Sequence, residues 1–307
     1  MIKRIMRRIK RTLTVPPEKL FPLRPALSVP QGLSEQELFE FVTTVRVADA
    51  PEHEMRAYGT HDFRRFVYTL GLVNGLEGKC LELGANPYFT TMLLERFTKL
   101  DLSLANYFGS LPAGIYTQDV TYNDATTGAR NTKTFSYQHF NVENDVFPYS
   151  DGEFDVVIFA EIIEHLLNDP CKVLREIKRV LKPGGTVVVT TPNVARLENI
   201  TRLIAGENIY DPYSGYGPYG RHNREYNRHE LVTLLEFEGF DVQEHFTADV
   251  HENRAGAYAD LKFFKDKLAF RKDDLGQYLF LKATNTPQTS KKVPSWLYRS
   301  LPAEMLE

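Results

Sequence analysis

FPYSDGEFDVVIFAEIIEHLLNDPCKVLREIKRVLKPGG, residues 147–185, is the stretch on which the reading of the fold turns. Residues 154–159 form a short apolar run of the kind that becomes a buried strand. Residues 170–181 read as a helix. Pro183-Gly184-Gly185 supplies a turn, and residues 186–190 read as the next strand. Strand, helix and strand in this order require a crossover, so the two strands are expected to be parallel.

The same rhythm holds on either side. Upstream lie a strand at 80–83, a helix at 90–97 and a strand at 102–107. A strand at 137–140 stands just ahead of the quoted stretch, and downstream lie a helix through Ile204, a helix at 229–237, and strands at 242–246 and 278–283. Residues 115–136 break the pattern: 116–122 and 132–137 flank Asn123-Asp124-Ala125-Thr126-Thr127-Gly128, which predicts an inserted β-hairpin.

Before the core, Ser34 and Glu37 form a capping box ahead of Leu38, Phe39, Phe41 and Val42. A second helix is expected from about residue 60 to 72, with Phe63, Phe66, Val67 and Leu70 on its apolar face. The first 13 residues set Ile2, Ile5, Met6, Ile9 and Leu13 at helical spacing among Lys3, Arg4, Arg7, Arg8, Lys10 and Arg11. Such a basic amphipathic helix can lie on an anionic membrane surface or stand as a solvated tail, and both readings stay open. Five prolines between Pro16 and Pro30 make a stiff tether. The division is therefore 1–30 tail and tether, 31–76 helical cap, 77–285 core with an insert at about 108–136 and a substrate-side loop at about 206–227, and 286–307 a polar tail expected to be mobile.

Composition narrows the classes. The chain has 307 residues, 42% hydrophobic and 25% charged, which is globular material with a sizeable core. A formal net charge of -3 gives no global pull toward nucleic acid, so no such partner is expected. Cys80 and Cys171 are the only cysteines, which fits a reducing, cytoplasmic setting and no disulfide scaffold.

Leu81-Glu82-Leu83-Gly84-Ala85-Asn86-Pro87 joins the first core strand to its helix, where open α/β sheets bind ligands. By itself the loop is a degenerate signal, because Asn86 and Tyr88 stand where nucleotide loops carry glycine. Together with Phe147 to Gly185 and with Thr191-Pro192-Asn193, however, the region from Gly78 to Asn193 resembles the catalytic core of class I S-adenosylmethionine-dependent methyltransferases. That resemblance implies a doubly wound, Rossmann-like, mostly parallel seven-stranded sheet with an antiparallel last strand. It implies S-adenosylmethionine as cofactor, with Glu82, Gly84, Ala85 and Asn86 at its methionine end. Asn106 would meet the ribose, Asn141 and Val142 the adenine, and Glu161 would also contact the cofactor. The family usually carries acids at the positions of Asn106 and Asn141. Amides keep both contacts in a weaker, uncharged form.

Glu161, Glu164 and His165 are three and four positions apart, so a helix starting after the fourth strand would put them on one face. Three readings stay open: a cation site, a catalytic His165 without metal, and helix capping. The run resembles that of metal-dependent O-methyltransferases acting on ubiquinone precursors and on small RNAs, which implies magnesium ligands. In the RNA enzymes a further histidine follows in a run like His222-Asn223-Arg224-Glu225-Tyr226, implicating His222. Glu161, His165 and His222 are then the catalytic candidates. The expected reaction is O-methylation of a hydroxyl, on a sugar of a glycan or lipid-linked saccharide. A quinol-type lipid is the weaker choice, and a non-catalytic binding protein is the alternative from another class. The tyrosines at 210, 213, 216 and 219 form either a substrate cover or a surface loop. His53, His61 and His139 carry no spacing signal.

Overall fold

The computed structural model describes residues 16–48, 50–109, 111–124, 127–212 and 217–297. The basic amphipathic segment at 2–13, Tyr213 and Tyr216 lie outside the described residues. Among the described residues nine strands form one sheet: β1 (Arg46–Val47), β2 (Glu77–Leu83), β3 (Lys99–Asn106), β4 (Gly114–Asn123), β5 (Arg130–His139), β6 (Phe154–Ala160), β7 (Leu181–Pro192), β8 (Phe240–Ala248) and β9 (Tyr278–Asn285), in the order β1-β4-β5-β3-β2-β6-β7-β9-β8.

β3, β2, β6 and β7 run parallel, and β5 joins β3 in parallel at Ala105–Gln138 and Asn106–His139. The last strand, β9, enters between β7 and β8 and is antiparallel to both. Seven strands thus make the expected doubly wound sheet. The expected hairpin is present, but its second arm and the expected strand at 137–140 are one continuous strand, β5. Two further strands, β4 and β1, extend that edge.

β6 reads as a continuous apolar run because both of its faces are covered. Ile158 faces a layer with Val67, Phe89, Leu93 and Phe280. Val157 and Phe159 face the other, with Leu174, Ile177, Leu231 and Leu234. Helix Pro170–Val180 starts on Asp169, whose carboxylate accepts the Cys171 N–H, with Pro170 at the first turn. It buries Val173, Leu174, Ile177 and Val180 completely, each contributing about 1.5–3 kcal/mol of apolar burial. Residues 182–185 bulge out between the pairs Phe154–Leu181 and Val156–Thr186, so the Pro-Gly-Gly turn is made at the head of β7.

The helical cap differs from expectation. The Ser34–Glu37 box starts a helix at Glu35–Val42. The helix expected at about 60–72 is present as Phe63–Leu72, and an unexpected one, Glu52–His61, precedes it with Asp62 between them. The unexpected helix gives little apolar signal because only Met55 and Gly59 are buried on it. Gly59 lets the helix lie against Phe89, whose ring an added Cβ would meet at 2.8 Å.

The polar tail is also tied down further than expected. Val293 and Leu297 are buried, and Arg224 Nη1 donates to the Leu297 carbonyl at 3.0 Å. No described helix is long and apolar enough to cross a membrane.

Candidate active site

The site forms where β2, β3 and β6 end. β2 hands over to Gly84, whose φ of +67° suits glycine. An added Cβ there would stand 2.9 Å from Ile162 Cδ1. The amides of Gly84 and Ala85 donate to the Ala105 carbonyl at 2.8 and 3.2 Å, tying the loop to β3.

Gly84, Asn106, Asn141, Val142, Glu161 and His165 line one pocket, as do Tyr107 and Tyr219. Glu82, Ala85 and Asn86 are not among the residues that line it. Glu82 is buried and accepts the Thr91 hydroxyl at 2.6 Å, and burial pushes its carboxyl up to about 8. The amide of Asn106 is used inside the protein: Oδ1 accepts the Asn86 N–H at 2.8 Å and Nδ2 donates to the Tyr88 hydroxyl at 3.0 Å. It braces the loop while still lining the pocket.

Asn141 Oδ1 accepts the N–H groups of Glu143 and Asn144, and its Nδ2 donates to the Tyr219 hydroxyl at 3.2 Å. Tyr219 in turn donates to Glu143 Oε2 at 3.2 Å. Glu143 is buried and also accepts the N–H groups of Leu167 and Asn168. Sequence reasoning missed Glu143 and treated Tyr219 as one of four loop tyrosines; the Asn141-Val142-Glu143 spacing was the available signal.

The expected helix after β6 is absent. Glu161 follows the strand at φ +55°, and only Ile163–His165 make a turn of 3₁₀ helix. The three side chains therefore do not share a helical face. Glu161 Oε1 accepts the Thr190 hydroxyl at 2.8 Å, and its Oε2 is 3.9 Å from Arg65 of the cap. Burial pushes its carboxyl up, and Arg65 opposes this.

Glu164 is fully buried. Its Oε2 accepts the Thr191 hydroxyl at 2.8 Å, and its backbone carbonyl accepts the Asn223 and Arg224 N–H groups. Those last two bonds carry His222 to the site. One atom each from Glu164, His165 and His222 lies within 4.8 Å of the others. His165 keeps Nδ1 on the Arg221 carbonyl at 2.8 Å, and its Nε2 is 3.8 Å from Glu164 Oε1. His222 keeps Nδ1 on Glu225 at 2.9 Å. Burial lowers the His165 pKa. For His222, burial is outweighed by Glu225, Glu164 and Asp211, and its pKa rises.

Glu164 Oε1 is buried with no hydrogen-bond partner. An unsatisfied buried carboxylate oxygen costs about 1–3 kcal/mol or more unless something meets it. Two imidazoles, each anchored through Nδ1 to an oxygen, form the arrangement in which outer partners orient metal ligands. The donor set fits a divalent cation, without Glu161. Of the other histidines, His53 is exposed, His139 is buried, and His61 stacks on His251 at 3.7 Å.

A family model described as a methyltransferase domain matches residues 55–245, more than half of the chain. A Mycolicibacterium smegmatis protein described as a probable S-adenosylmethionine-dependent methyltransferase is 37% identical over 97 residues, 32% of this chain and 32% of its own. The mitochondrial ubiquinone biosynthesis O-methyltransferase of Dictyostelium discoideum is 31% identical over 78 residues, 25% of this chain and 24% of its own. The chain thus spans about a third or less of the length of these curated relatives. A solved S-adenosylmethionine-dependent methyltransferase from Archaeoglobus fulgidus is similar at a TM-score of 0.44 and 15% identity, over 72% of this chain and 91% of that one. With the family model running from Met55 through the cofactor loop and the Glu164 turn, the chain belongs to the methyltransferase-domain family, in its class I S-adenosylmethionine-dependent group.

Proposed function

We propose that the chain is an S-adenosylmethionine-dependent O-methyltransferase that methylates a hydroxyl beside a divalent cation held by Glu164, His165 and His222. The observation that carries this reading is the unpartnered, buried Oε1 of Glu164 facing an imidazole on the pocket wall. Gly84 lies where the methionine end of the cofactor would pass, and Asn141 and Val142 where adenine would sit.

In the transfer, the acceptor oxygen bonds the methyl carbon as the carbon–sulfur bond breaks, and the hydroxyl proton goes to a base. In-line positioning accounts for much of the rate. A bound cation, magnesium or manganese, would lower the pKa of the hydroxyl. Glu161 on the pocket wall, its carboxyl pushed up by burial, would accept the proton; His165 would do so only without the cation, since its Nδ1 bonds the Arg221 carbonyl and its Nε2 would hold the metal.

The acceptor proposed is a sugar hydroxyl of a glycan or lipid-linked saccharide, met at the cytoplasmic face of a membrane. Tyr107 and Tyr219, which cross edge to face at the pocket, would supply aromatic walls for a sugar ring. A quinol-type lipid is the second reading, favoured by the ubiquinone O-methyltransferases of Dictyostelium discoideum and Rattus norvegicus among the relatives.

Transfer of radiolabelled methyl groups to saccharide and to quinol acceptors, with EDTA and then with added Mg²⁺ or Mn²⁺, tests both parts. Full transfer in EDTA would remove the cation. Calorimetry that detects no binding of S-adenosylmethionine would leave a non-catalytic protein instead.

A further inference from the structure

The connection between β8 and β9 carries a surface that methyl transfer does not use. Within residues 261–272, Phe270 is 84% exposed and Phe263 is 65% exposed. The segment does not lack inward anchors: Leu261 and Leu275 are buried against Phe21, Leu23 and Leu197, with Leu268 packed on the same cluster. Short 3₁₀ turns at Leu261–Phe263 and Ala269–Arg271 fix its path. The two phenylalanines are therefore held out by a folded segment.

Around them stand Lys262, Lys265, Lys267 and Lys272, all exposed, with Asp266 among them, Asp260 and Asp273 at the ends, and Asp274 paired with Arg271 at 3.2 Å. None of the four lysines pairs with a carboxylate among the described residues, and the Lys267 ammonium lies 5.5 Å from the Phe263 ring. The turn at Leu261–Phe263 packs against the helical turn Pro17–Leu20. Immediately upstream, residues 1–15 carry six Lys and Arg and no acid in a chain whose net charge is -3. Lysines without a carboxylate partner among the described residues thus surround the two rings in a chain that is acidic overall.

Exposed phenylalanines set among lysines match the boundary of a lipid bilayer. Aromatic rings enter the acyl edge, and lysine stems reach back to the headgroup phosphates. We propose that residues 261–272 form a docking surface for an anionic membrane. The proposal is independent of the methyl-transfer reading.

Co-sedimentation of the full chain with phosphatidylcholine vesicles, with and without phosphatidylglycerol, tests it. Binding is expected to the anionic vesicles alone and to weaken with salt. The double variant Phe263→Ser, Phe270→Ser is expected to bind about tenfold more weakly or worse. Each of Lys262→Gln, Lys265→Gln, Lys267→Gln and Lys272→Gln should cost about fivefold. All six side chains are exposed, and an unchanged melting temperature checks that the variants fold. Wild-type partitioning of the serine double variant overturns the proposal. So does light scattering that shows the phenylalanines joining two copies of the chain while vesicle binding is unaffected.

Discussion

Glu164 and His222 meet because the backbone carbonyl of Glu164 accepts the N–H groups of the two residues that follow His222. The contact sets an anionic oxygen and an imidazole within 4.8 Å of each other, with His165 as the third member. Glu164→Gln keeps an acceptor for Thr191 and removes the charge. Manganese affinity, measured by calorimetry, is expected to fall at least about tenfold in Glu164→Gln and in His222→Ala. Glu161→Gln should bind manganese nearly as well as the wild type, since Glu161 lies outside the group. Equal affinity in all four proteins would rule out this ligand set.

Arg65 ties the cap to the catalytic end of the sheet. It is buried, bonds Asp62 at 3.0 Å and approaches Glu161 at 3.9 Å. Removing one partner of a buried ion pair strands the others. Arg65→Met is therefore expected to lose about 3–5 kcal/mol in urea denaturation. A loss below about 1 kcal/mol would mean that water reaches the two carboxylates and the pair is not structural.

Glu82 gives the fold a pH dependence of known sign. Its ordinary pKa of 4.5 rises to about 8 on burial, so the folded chain binds a proton that the unfolded chain releases. The stability this contributes is full below about pH 4.5 and is lost as pH rises through about 8. Glu164, raised to about 7, and Asp249, also raised to about 7, slope the same way, so the difference from a variant is the informative quantity. Glu82→Gln should match the wild type in melting temperature near pH 4.5 and exceed it at pH 8 to 9. A constant offset across that range would show that Glu82 titrates normally.

The parallel core was legible because its signals are local. The apolar run of β6, the capped helix after it and the Pro-Gly-Gly bulge each report their own backbone. The helix at Glu52–His61 was not legible, since a helix that buries only Met55 and Gly59 has almost no apolar stripe. At the site, residue types were read more reliably than their directions. Asn106 stands at the end of β3 as expected, yet its amide points back to Asn86 and Tyr88. Glu161, Glu164 and His165 were read as one helical face. A residue at positive φ just past the strand, followed by a 3₁₀ turn, separates them, and sequence spacing does not encode that. The approach of His222 depends on bonds to the Glu164 carbonyl, a tertiary contact visible beforehand only through family resemblance.

Tyr219 offers the sharpest test of how the pocket holds its ligand. Its hydroxyl joins Asn141, Asn144 and Glu143, and its ring crosses Tyr107 edge to face at 5.9 Å. Tyr219→Phe keeps the ring and deletes the hydroxyl, so Asn141 Nδ2 loses its acceptor while its Oδ1 stays on the Glu143 and Asn144 amides. One such bond contributes about 0.5–1.5 kcal/mol, so the Kd for S-adenosylmethionine should rise about three- to tenfold with kcat nearly unchanged. Tyr219→Ala also removes the aromatic wall and should weaken binding further. If both variants bind the cofactor as the wild type does, Tyr219 lies over the acceptor instead, and the loss would then appear in the KM for the acceptor.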